Sequence, residues 1–417
     1  MILVDVFVTA LRKCGVDFFC GVPDSLLKSF CAYLTDTCGD RHVITANEGG
    51  AVALASGHYL ATGKPALVYM QNSGQGNAVN PLASLADPDV YSIPMVLLVG
   101  WRGEPGVHDE PQHVKQGKIT LSLFETLGIP TEVLPDDEEA ALALVAQMAE
   151  RARAESRPVA LVVRKGLFAE YKLQNRKSDI SPLRREEAIE TILKAIGKDA
   201  VVVSTTGMIS REVYETRERL GQGHEKDFLT VGSMGHSVMI ALGIARQFMH
   251  VNDGRDVYVV CIDGDGAALM QTGNMAIAAA AKCPNLLHIV LNNAAHDSVG
   301  GQPTVAGEID FAKVAEGLGY YVAGSYCGPA VVEKDCKMDD ELAPFGVDPP
   351  SGLAGLLRER IDQMIYSWAC DPEEEWQTTF LEIKVAKGAR KDLGRPKEPP
   401  QENKGIFMQA LRQGGGK

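Results

Sequence analysis

The sequence has no apolar run long enough to cross a membrane. Its longest apolar stretches, Ala66 to Met70 and Met95 to Val99 among them, fall far short of the ~20 residues that a membrane-spanning helix needs. Residues 1–5 also lack the basic segment, apolar core and small-residue cleavage site of a secretory signal. We therefore expect a soluble, folded protein of the cytoplasm with no membrane partner.

Paired cysteines are also lacking. The nine cysteines are irregularly spaced, form no CxxC pair and are odd in number. This pattern argues against a disulfide framework and against a structural zinc site. We expect most of them to be reduced residues of the core.

Positive charge is in short supply. The chain has 41 lysines and arginines against 54 aspartates and glutamates, which gives a net charge of -13. Such a charge repels nucleic acid and anionic lipid, because binding to either relies on a basic face. If the protein binds a small anion, the binding site must be locally basic.

The sequence is rich in short apolar stretches that alternate with amphipathic segments. This alternation is typical of α/β units on parallel sheets. The 417 residues leave room for two halves, each with a six-stranded parallel sheet covered by helices on both faces. The predicted strands are Ala66 to Met70, Met95 to Val99, Val159 to Val163, Ala200 to Val203, Val257 to Ile262, Leu286 to Leu291 and Phe380 to Val385.

The boundary between the halves is predicted where the sequence turns polar and irregular, after Gly166. Ser181 and Pro182 then have the features of an N-cap and a first helical residue, and Gly197 ends the predicted helix. We place the first domain at residues 1–170, a linker at 171–185 and the second domain at 186–417. A segment from Tyr326 to Ser351, which contains two cysteines and Pro344, Pro349 and Pro350, shows no periodicity, and its role is open.

The most specific motif follows the strand that ends at Ile262. It reads Asp263 to Gly266, and after 25 more residues the next strand ends in Asn292-Asn293. This arrangement resembles the GDG…NN signature of thiamine diphosphate enzymes. Asp265 and Asn293 offer oxygen ligands of the kind that Mg²⁺ prefers when it holds a diphosphate. The glycines let backbone N–H groups approach the phosphates.

A dinucleotide-binding fingerprint is excluded at this turn. After Gly264 and Gly266, the position that requires a third glycine is occupied by Leu269.

The resemblance implies further contacts with thiamine diphosphate. Glu48 would bond the aminopyrimidine ring, and its place among glycines and alanines suggests a raised pKa. The Gly232 carbonyl would accept from the same ring, and Met234 would lie beneath the cofactor. The expected cofactor-binding residues are Glu48, Ser204, Thr205, Thr206, Gly207, Gly232, Met234, Gly264, Asp265, Gly266, Ala267 and Asn293. The expected metal ligands are Asp265, Asn293 and the carbonyl of Ala295.

Simpler interpretations exist for two of these residues. Glu48 has the position of an acid stabilised by a helix dipole, and Met234 would suit an ordinary core.

The spacing of the motifs also bears on the domain organisation. Glu48 precedes Gly264 by 216 residues, which fits a pyrimidine-binding domain followed directly by a diphosphate-binding domain. That spacing leaves no room for a central domain.

Longer segments narrow the resemblance to the phosphonopyruvate decarboxylase family. These segments are Gly21 to Leu27, Gln71 to Gly74, Arg102 to Gly106, Asp109 to His113 and Asn292 to Thr304. The similarity runs nearly from end to end. Two features depart from the family: Ala294, where glycine usually follows the paired asparagines, and the segment from Tyr326 to Ser351.

By this resemblance the reaction is decarboxylation of 3-phosphonopyruvate to phosphonoacetaldehyde. Glu48, Ser25 and His113 would be catalytic, the last two by contacting the substrate carboxylate and moving protons. The expected substrate contacts are Ser25, Asn72, Arg102, His113 and Lys115, with Arg102 and Lys115 as cationic donors to the phosphonate. The family also implies a homodimer or larger homo-oligomer, with Glu48 from one chain and Asp265 from another at each site.

Three alternatives stay open at this stage. A sulfopyruvate decarboxylase would share the fold, cofactor and chemistry but bind a sulfonate. A non-catalytic thiamine-binding subunit would keep the fold without the reaction. Carboligation would join the same intermediate to an aldehyde as a side activity.

Overall fold

The chain folds into two compact units in a computed structural model that describes residues 1–249, 257–327, 352–370 and 376–413. The first unit comprises Met1–Lys177 and His296–Pro303, and the second comprises Ser178–Ala295 and Thr304–Lys417. Most of the aperiodic segment predicted from Tyr326 to Ser351 lies outside the described residues.

The first unit is built on a six-stranded parallel sheet in the order β2-β1-β3-β4-β6-β5. Its strands are β1 (Phe19–Gly21), β2 (His42–Ile44), β3 (Ala66–Gln71), β4 (Met95–Gly100), β5 (Thr131–Val133) and β6 (Pro158–Val163). Its helices are α1 (Val4–Lys13), α2 (Lys28–Thr37), α3 (Glu48–Thr62), α4 (Gln75–Pro81), α5 (Pro111–Thr126) and α6 (Glu138–Ala154).

Strand β3 shows why this sheet is covered on both faces. Side chains alternate across a strand, and Leu67 and Tyr69 join one hydrophobic cluster while Val68 and Met70 join another. All four are fully buried. Burial of successive residues is what requires helices on both faces of a parallel sheet.

The second unit repeats this plan in the order β13-β14-β10-β9-β7-β8, again with all strands parallel. Its strands are β7 (Val201–Ser204), β8 (Asp227–Leu229), β9 (Val259–Gly264), β10 (Leu286–Asn292), β13 (Tyr321–Tyr326) and β14 (Thr379–Lys384). Its helices are α7 (Arg185–Ile196), α8 (Met208–Arg219), α9 (Ser237–Ala245), α10 (Asp265–Met270), α11 (Thr272–Ala280), α12 (Phe311–Leu318), α13 (Gly352–Cys370) and α14 (Pro400–Gln413). Two short strands, β11 (Ala295–His296) and β12 (Gln302–Pro303), form a separate two-stranded sheet, and residues His296–Pro303 belong to the first unit.

The predicted start of α7 at Ser181-Pro182 is wrong, whereas its predicted end at Gly197 is confirmed. The helix begins at Arg185. The Ser181 hydroxyl donates to the Cys327 carbonyl at 3.1 Å, and the Leu183 carbonyl accepts from the Ala386 N–H at 2.7 Å. These long-range bonds hold the segment outside the helix.

The predicted fold class is confirmed, with two six-stranded parallel sheets and helices on both faces of each. None of the described helices combines the length and the apolarity that crossing a bilayer requires. Of the seven cysteines whose side chains are described, six are buried.

Candidate active site

In the first unit, Glu48 is a buried carboxyl at the start of α3. Asn47 caps this helix by accepting from the Gly49 N–H at 2.8 Å. The Glu48 side chain is 4% exposed, and its Oε2 accepts from Asn77 Nδ2 at 2.7 Å. Burial raises the pKa of Glu48, and the bond from Asn77 offsets part of that rise. The carboxyl is therefore more than a solvated helix-terminal acid.

Space for this carboxyl comes from Gly74. A Cβ at Gly74 would lie 2.3 Å from Glu48 Oε1, which is far inside van der Waals contact. Gly74 lies in the segment that follows β3, and Glu48 is the first residue of α3. The carboxyl end of β3 and the start of α3 therefore shape the site around Glu48 together.

The side chain of Arg102, which follows β4, is held by an ion pair and a hydroxyl. Its Nε and Nη2 donate to Asp109 at 2.7 and 2.5 Å, and its Nη1 donates to Ser25 Oγ at 2.8 Å. Burial alone would raise the pKa of Asp109, but hydrogen bonds from Arg102 and from two backbone N–H groups outweigh it and lower the pKa. Sequence reasoning assigned no role to Asp109, although it lies in a motif that carried the resemblance.

The other predicted substrate residues differ in their surroundings. Asn72 is fully buried. Its Nδ2 donates to the Arg102 carbonyl at 2.7 Å, and its Oδ1 accepts from the Arg102 N–H at 3.2 Å. His113 is 8% exposed, and its Nδ1 has no hydrogen-bond partner among the described residues. Burial, reinforced by the charge of Arg102, lowers the pKa of His113. Lys115 is exposed on α5.

A cavity of about 240 Å³ opens beside Ser25 and Arg102. Its lining residues are Ser25, Leu26, Trp101, Arg102, Gly103, Glu104, Val107, His108, Asp109 and Lys165. The cavity thus brings together the loops that follow β1, β4 and β6. His113 and Lys115 are not among its lining residues.

Asp24, which sequence reasoning missed, lies fully buried beneath this cavity. Its Oδ2 accepts from the Leu26 N–H at 3.0 Å, and burial raises the pKa of Asp24 to about 6. A Cβ at Gly100 would lie 2.0 Å from the same Oδ2, so glycine is needed there. The signal in the sequence was an acid directly after a strand and a Val-Pro pair, before Ser25.

In the second unit, the end of β7 presents a turn of small hydroxyl residues. Ser204 is fully buried and its hydroxyl bonds the Ser210 hydroxyl at 2.8 Å. Thr205 is 3% exposed, and its Oγ1 has no hydrogen-bond partner among the described residues. Gly207 has φ +94, and Thr206 lies between it and Thr205. Of the predicted phosphate contacts here, the Ser204 hydroxyl already has a protein partner.

The neighbouring strands β9 and β10 carry the predicted metal ligands. Gly264 pairs with Leu291, so Asp265 and Asn293 follow adjacent strand ends at the same edge of the sheet. Each is 4% exposed. Asn293 Oδ1 accepts from the Ala295 N–H at 3.0 Å, and a carbonyl oxygen has a second lone pair for a metal.

Thr304 joins these two ligand turns, and sequence reasoning gave it no role. Its Oγ1 donates to Asp265 Oδ2 at 2.5 Å, and its N–H donates to the Ala294 carbonyl at 3.1 Å. Because Thr304 and Asp265 are 39 residues apart in the sequence, only the folded structure brings them together.

Ala294, the departure from the family pattern, has φ +55. This left-handed conformation favours glycine, because the Cβ of any other residue crowds the backbone. The Ala294 N–H donates to Asn292 Oδ1 at 3.0 Å, which holds the turn closed. Ala295 follows at 7% exposure and keeps its predicted place beside Asn293.

The predicted Gly232–Met234 segment is a loop tied to α10 and α11. Met234 is half-buried and Gly232 lies two residues before it. Gly235 has φ +85, and a Cβ there would lie 2.9 Å from the Ala267 carbonyl. The Gly235 carbonyl accepts from Asn274 Nδ2 at 2.8 Å. The loop therefore lies against the helix that begins at Asp265.

These residues fit thiamine diphosphate and Mg²⁺. The buried oxygens of Asp265 and Asn293 form a donor set suited to a hard cation. Thr205 offers an unpartnered buried hydroxyl, and its Cγ2 would lie 4.0 Å from a Cβ at Gly264, so the β7 and β9 turns are adjacent. The Gly264 N–H donates to Asp263 Oδ1 at 3.0 Å, and the N–H groups of the first turn of α10, which begins at Asp265, have no partner within the helix.

Comparison with known proteins agrees with this fit. Residues 1–123 match the family described as thiamine pyrophosphate enzyme, N-terminal TPP binding domain, and residues 205–343 match the corresponding C-terminal TPP binding domain. Thiamine pyrophosphate is the same compound as thiamine diphosphate. The predicted cofactor is confirmed at the level of these families.

Two curated relatives are similar over nearly the whole chain. A phosphonopyruvate decarboxylase from Streptomyces hygroscopicus is 32% identical, over 96% of this chain and 92% of its own. Another phosphonopyruvate decarboxylase, from Streptomyces viridochromogenes, is 32% identical, and the match covers 95% of this chain and 91% of that relative. A sulfopyruvate decarboxylase from Methanosarcina acetivorans is more distant, at 28% identity over 71% of this chain and 77% of its own. The resemblance seen in the sequence is confirmed, and the chain belongs to the phosphonopyruvate decarboxylase family of thiamine pyrophosphate enzymes.

Proposed function

We propose that the protein is a thiamine diphosphate- and Mg²⁺-dependent lyase that decarboxylates 3-phosphonopyruvate to phosphonoacetaldehyde and carbon dioxide. The observation that carries the proposal is a buried Glu48 carboxyl with a raised pKa in a chain that also has Asp265 and Asn293 at adjacent strand ends. A non-catalytic subunit has no need for that carboxyl. The full-length similarity to two phosphonopyruvate decarboxylases supports the substrate.

When bound, the cofactor would supply an electron sink for the bonding pair that stays on the substrate carbon when carbon dioxide leaves. Asp265, Asn293 and the Ala295 carbonyl hold the metal, and Thr304 fixes the orientation of the Asp265 carboxylate. Thr205, Thr206, Gly207, Gly264, Gly266 and Ala267 surround the diphosphate. Gly232 and Met234 belong to the cofactor-binding surface of the same unit.

Glu48 would hold the proton that it shares with the aminopyrimidine ring of a bound cofactor. Its raised pKa suits this task, because a carboxyl that protonates readily shares a proton with a ring nitrogen. Asn77 fixes the carboxyl by donating to Oε2. Water is excluded by the burial of Glu48.

Ser25 and His113 act on the substrate. The Ser25 hydroxyl accepts from Arg102 at 2.8 Å and donates to Asp24 Oδ1 at 3.4 Å, a long bond that a bond to the substrate carboxylate would replace. His113 is held in its neutral form by its lowered pKa, and its unpartnered Nδ1 is suited to receive or deliver a proton at the carbon that loses carbon dioxide. Asn72 positions the backbone of Arg102, whose side chain attracts the anionic substrate.

The active form is a homodimer or larger homo-oligomer. Residues 1–170 serve as the pyrimidine-binding domain, residues 171–185 as a linker and residues 186–417 as the diphosphate-binding domain. Each site then takes Glu48 from one chain and Asp265 from a second chain.

A substrate panel tests this function. Purified protein with thiamine diphosphate and Mg²⁺ receives phosphonopyruvate, sulfopyruvate or pyruvate, and aldehyde formation is followed for each. The expected result is preferential turnover of phosphonopyruvate that collapses in Glu48→Gln. A preference for sulfopyruvate would move the substrate and keep the cofactor, and turnover of none would favour the non-catalytic subunit. Added acetaldehyde, with analysis of the products, tests for carboligation.

A further inference from the structure

The strand register places two cations at equivalent positions on one sheet edge. Strands β4 and β6 are neighbours, with Gly100 opposite Val163. Arg102 lies two residues beyond Gly100, and Lys165 lies two residues beyond Val163. The Trp101 N–H donates to the Val163 carbonyl at 2.9 Å, so the pairing continues past the strand ends. Both side chains line the 240 Å³ cavity.

The charge of Arg102 is already compensated. Asp109 binds its guanidinium through two parallel hydrogen bonds, and this is the geometry in which arginine also binds phosphonates and phosphates. A third N–H is engaged by Ser25. Two of the five guanidinium N–H groups remain for a ligand. Arg102 is therefore oriented at the cavity, but it contributes little net positive charge.

Lys165 differs from both arginines beside the cavity. Arg164 pairs with Glu104 at 3.0 Å, as Arg102 pairs with Asp109. No carboxylate of the described residues lies within ion-pair distance of Lys165. Among the described residues, Lys165 is therefore the cavity-lining cation that no carboxylate holds in an ion pair. A dianionic group is attracted to that charge more strongly than a monoanionic group.

We propose that Lys165 determines substrate specificity by binding the phosphonate group of the substrate, together with the remaining N–H groups of Arg102. Asp109 is a positioning residue, because it fixes the Arg102 side chain at the cavity wall. The cavity holds the volume of about eight waters, which suits a three-carbon phosphonate. This inference rests on the proposed 3-phosphonopyruvate substrate and assigns its anionic end to Lys165 in place of Lys115.

The test compares Lys165→Met with Lys115→Met and with Lys118→Met, an exposed lysine on α5 outside the cavity lining. Steady-state kinetics are measured with phosphonopyruvate and with pyruvate, which lacks the phosphonate. Lys165→Met is expected to raise the KM for phosphonopyruvate about 10- to 100-fold, as expected for loss of a charged hydrogen bond. The constants for pyruvate should stay within about twofold of wild type, because pyruvate has no group for Lys165 to bind. Lys165→Arg should restore most of the affinity.

A binding measurement separates this inference from the proposed function. Phosphonoacetate, which keeps a phosphonate and a carboxylate but has no 2-oxo group, is titrated into each variant by calorimetry. Weaker binding in Lys165→Met alone supports the inference even if the wild type does not turn over phosphonopyruvate, a result that would refute the proposed function. Unchanged phosphonoacetate binding in Lys165→Met, or an equal loss of phosphonopyruvate and pyruvate turnover, would overturn the inference.

Discussion

The two units place different chemistry at the carboxyl ends of very similar sheets. In the first unit the functional groups are ionisable side chains with shifted pKa values, namely Glu48, Asp24, Asp109 and His113. In the second unit they are oxygen ligands, hydroxyls and glycine turns around Asp265 and Asn293. Buried groups with shifted pKa values suit proton transfer, whereas binding of a metal diphosphate requires small turns and hard oxygen donors. In the proposed function, the same fold therefore serves catalysis in one unit and cofactor binding in the other.

Among the variants that test this comparison, the largest effect is expected for Glu48→Gln. Loss of the ionisable carboxyl should lower kcat by about 10²- to 10⁴-fold, because general acid–base catalysis contributes that much. Binding of thiamine diphosphate, measured by calorimetry, should change far less. Glu139→Gln is a matched control, since Glu139 is also an acid in the first turn of a helix but is exposed. Equal activity of the two variants would remove Glu48 from catalysis.

Asp265→Asn, in the second unit, should mainly weaken metal binding, whereas Glu48→Gln should mainly lower kcat. Replacing the carboxylate by an amide removes the charge that holds Mg²⁺, so the apparent Mg²⁺ affinity should fall at least about 10²-fold. Titration of activity with Mg²⁺ measures this change. At saturating metal, part of the activity should return. Unchanged metal affinity with a lowered kcat would break the division of labour between the units.

Thr304→Val sharpens the same point with a smaller effect. The variant keeps the shape of the side chain but removes the hydroxyl that donates to Asp265 at 2.5 Å. Loss of such an outer hydrogen bond should weaken Mg²⁺ binding about 10- to 100-fold. The matched control is Thr62→Val, whose hydroxyl bonds only the backbone of its own exposed helix end. If both variants bind Mg²⁺ like the wild type, Thr304 does not orient the ligand.

Ala294→Gly is expected to stabilise the protein. Glycine relieves the strain of the left-handed conformation at Ala294, but it also has a larger conformational entropy in the unfolded chain. The two effects together should raise the free energy of unfolding by up to about 1 kcal/mol. Urea denaturation measures the difference. Ala386→Gly, at a residue without a positive φ, should instead be destabilising. A destabilised Ala294→Gly would show that the larger entropy of glycine in the unfolded chain outweighs the relief of strain.

The sequence was sufficient for the parts of the fold that depend on local patterns. Long apolar strands such as β3, β4 and β10 were predicted within a residue or two, because fully buried parallel strands appear as continuous apolar runs. The three-residue strands β1, β2, β5 and β8 were not identified. Each is too short to show a period, and its position is set by pairing with a neighbour distant in sequence.

The residues of the candidate site also fall into those that local sequence predicts and those that only the fold brings together. The residues of the GDG…NN motif were predicted because the motif directly follows apolar runs that are recognisable as strands. Thr304, Asp109 and Lys165 were not assigned roles, because each matters through a partner or register that only the fold creates: Asp265, Arg102 and the β4–β6 pairing. The predicted start of α7 failed for a similar reason, since the Ser181 hydroxyl bonds the distant Cys327 carbonyl.

Direct observation of the phosphorus-containing compounds tests the central claim most closely. Phosphonopyruvate is incubated with the protein, and its ³¹P NMR signal is followed with and without thiamine diphosphate and Mg²⁺. The account predicts conversion to phosphonoacetaldehyde, with one carbon dioxide released per molecule, only when cofactor and metal are both present. An unchanged phosphonopyruvate signal in protein that calorimetry shows to be saturated with thiamine diphosphate would contradict it.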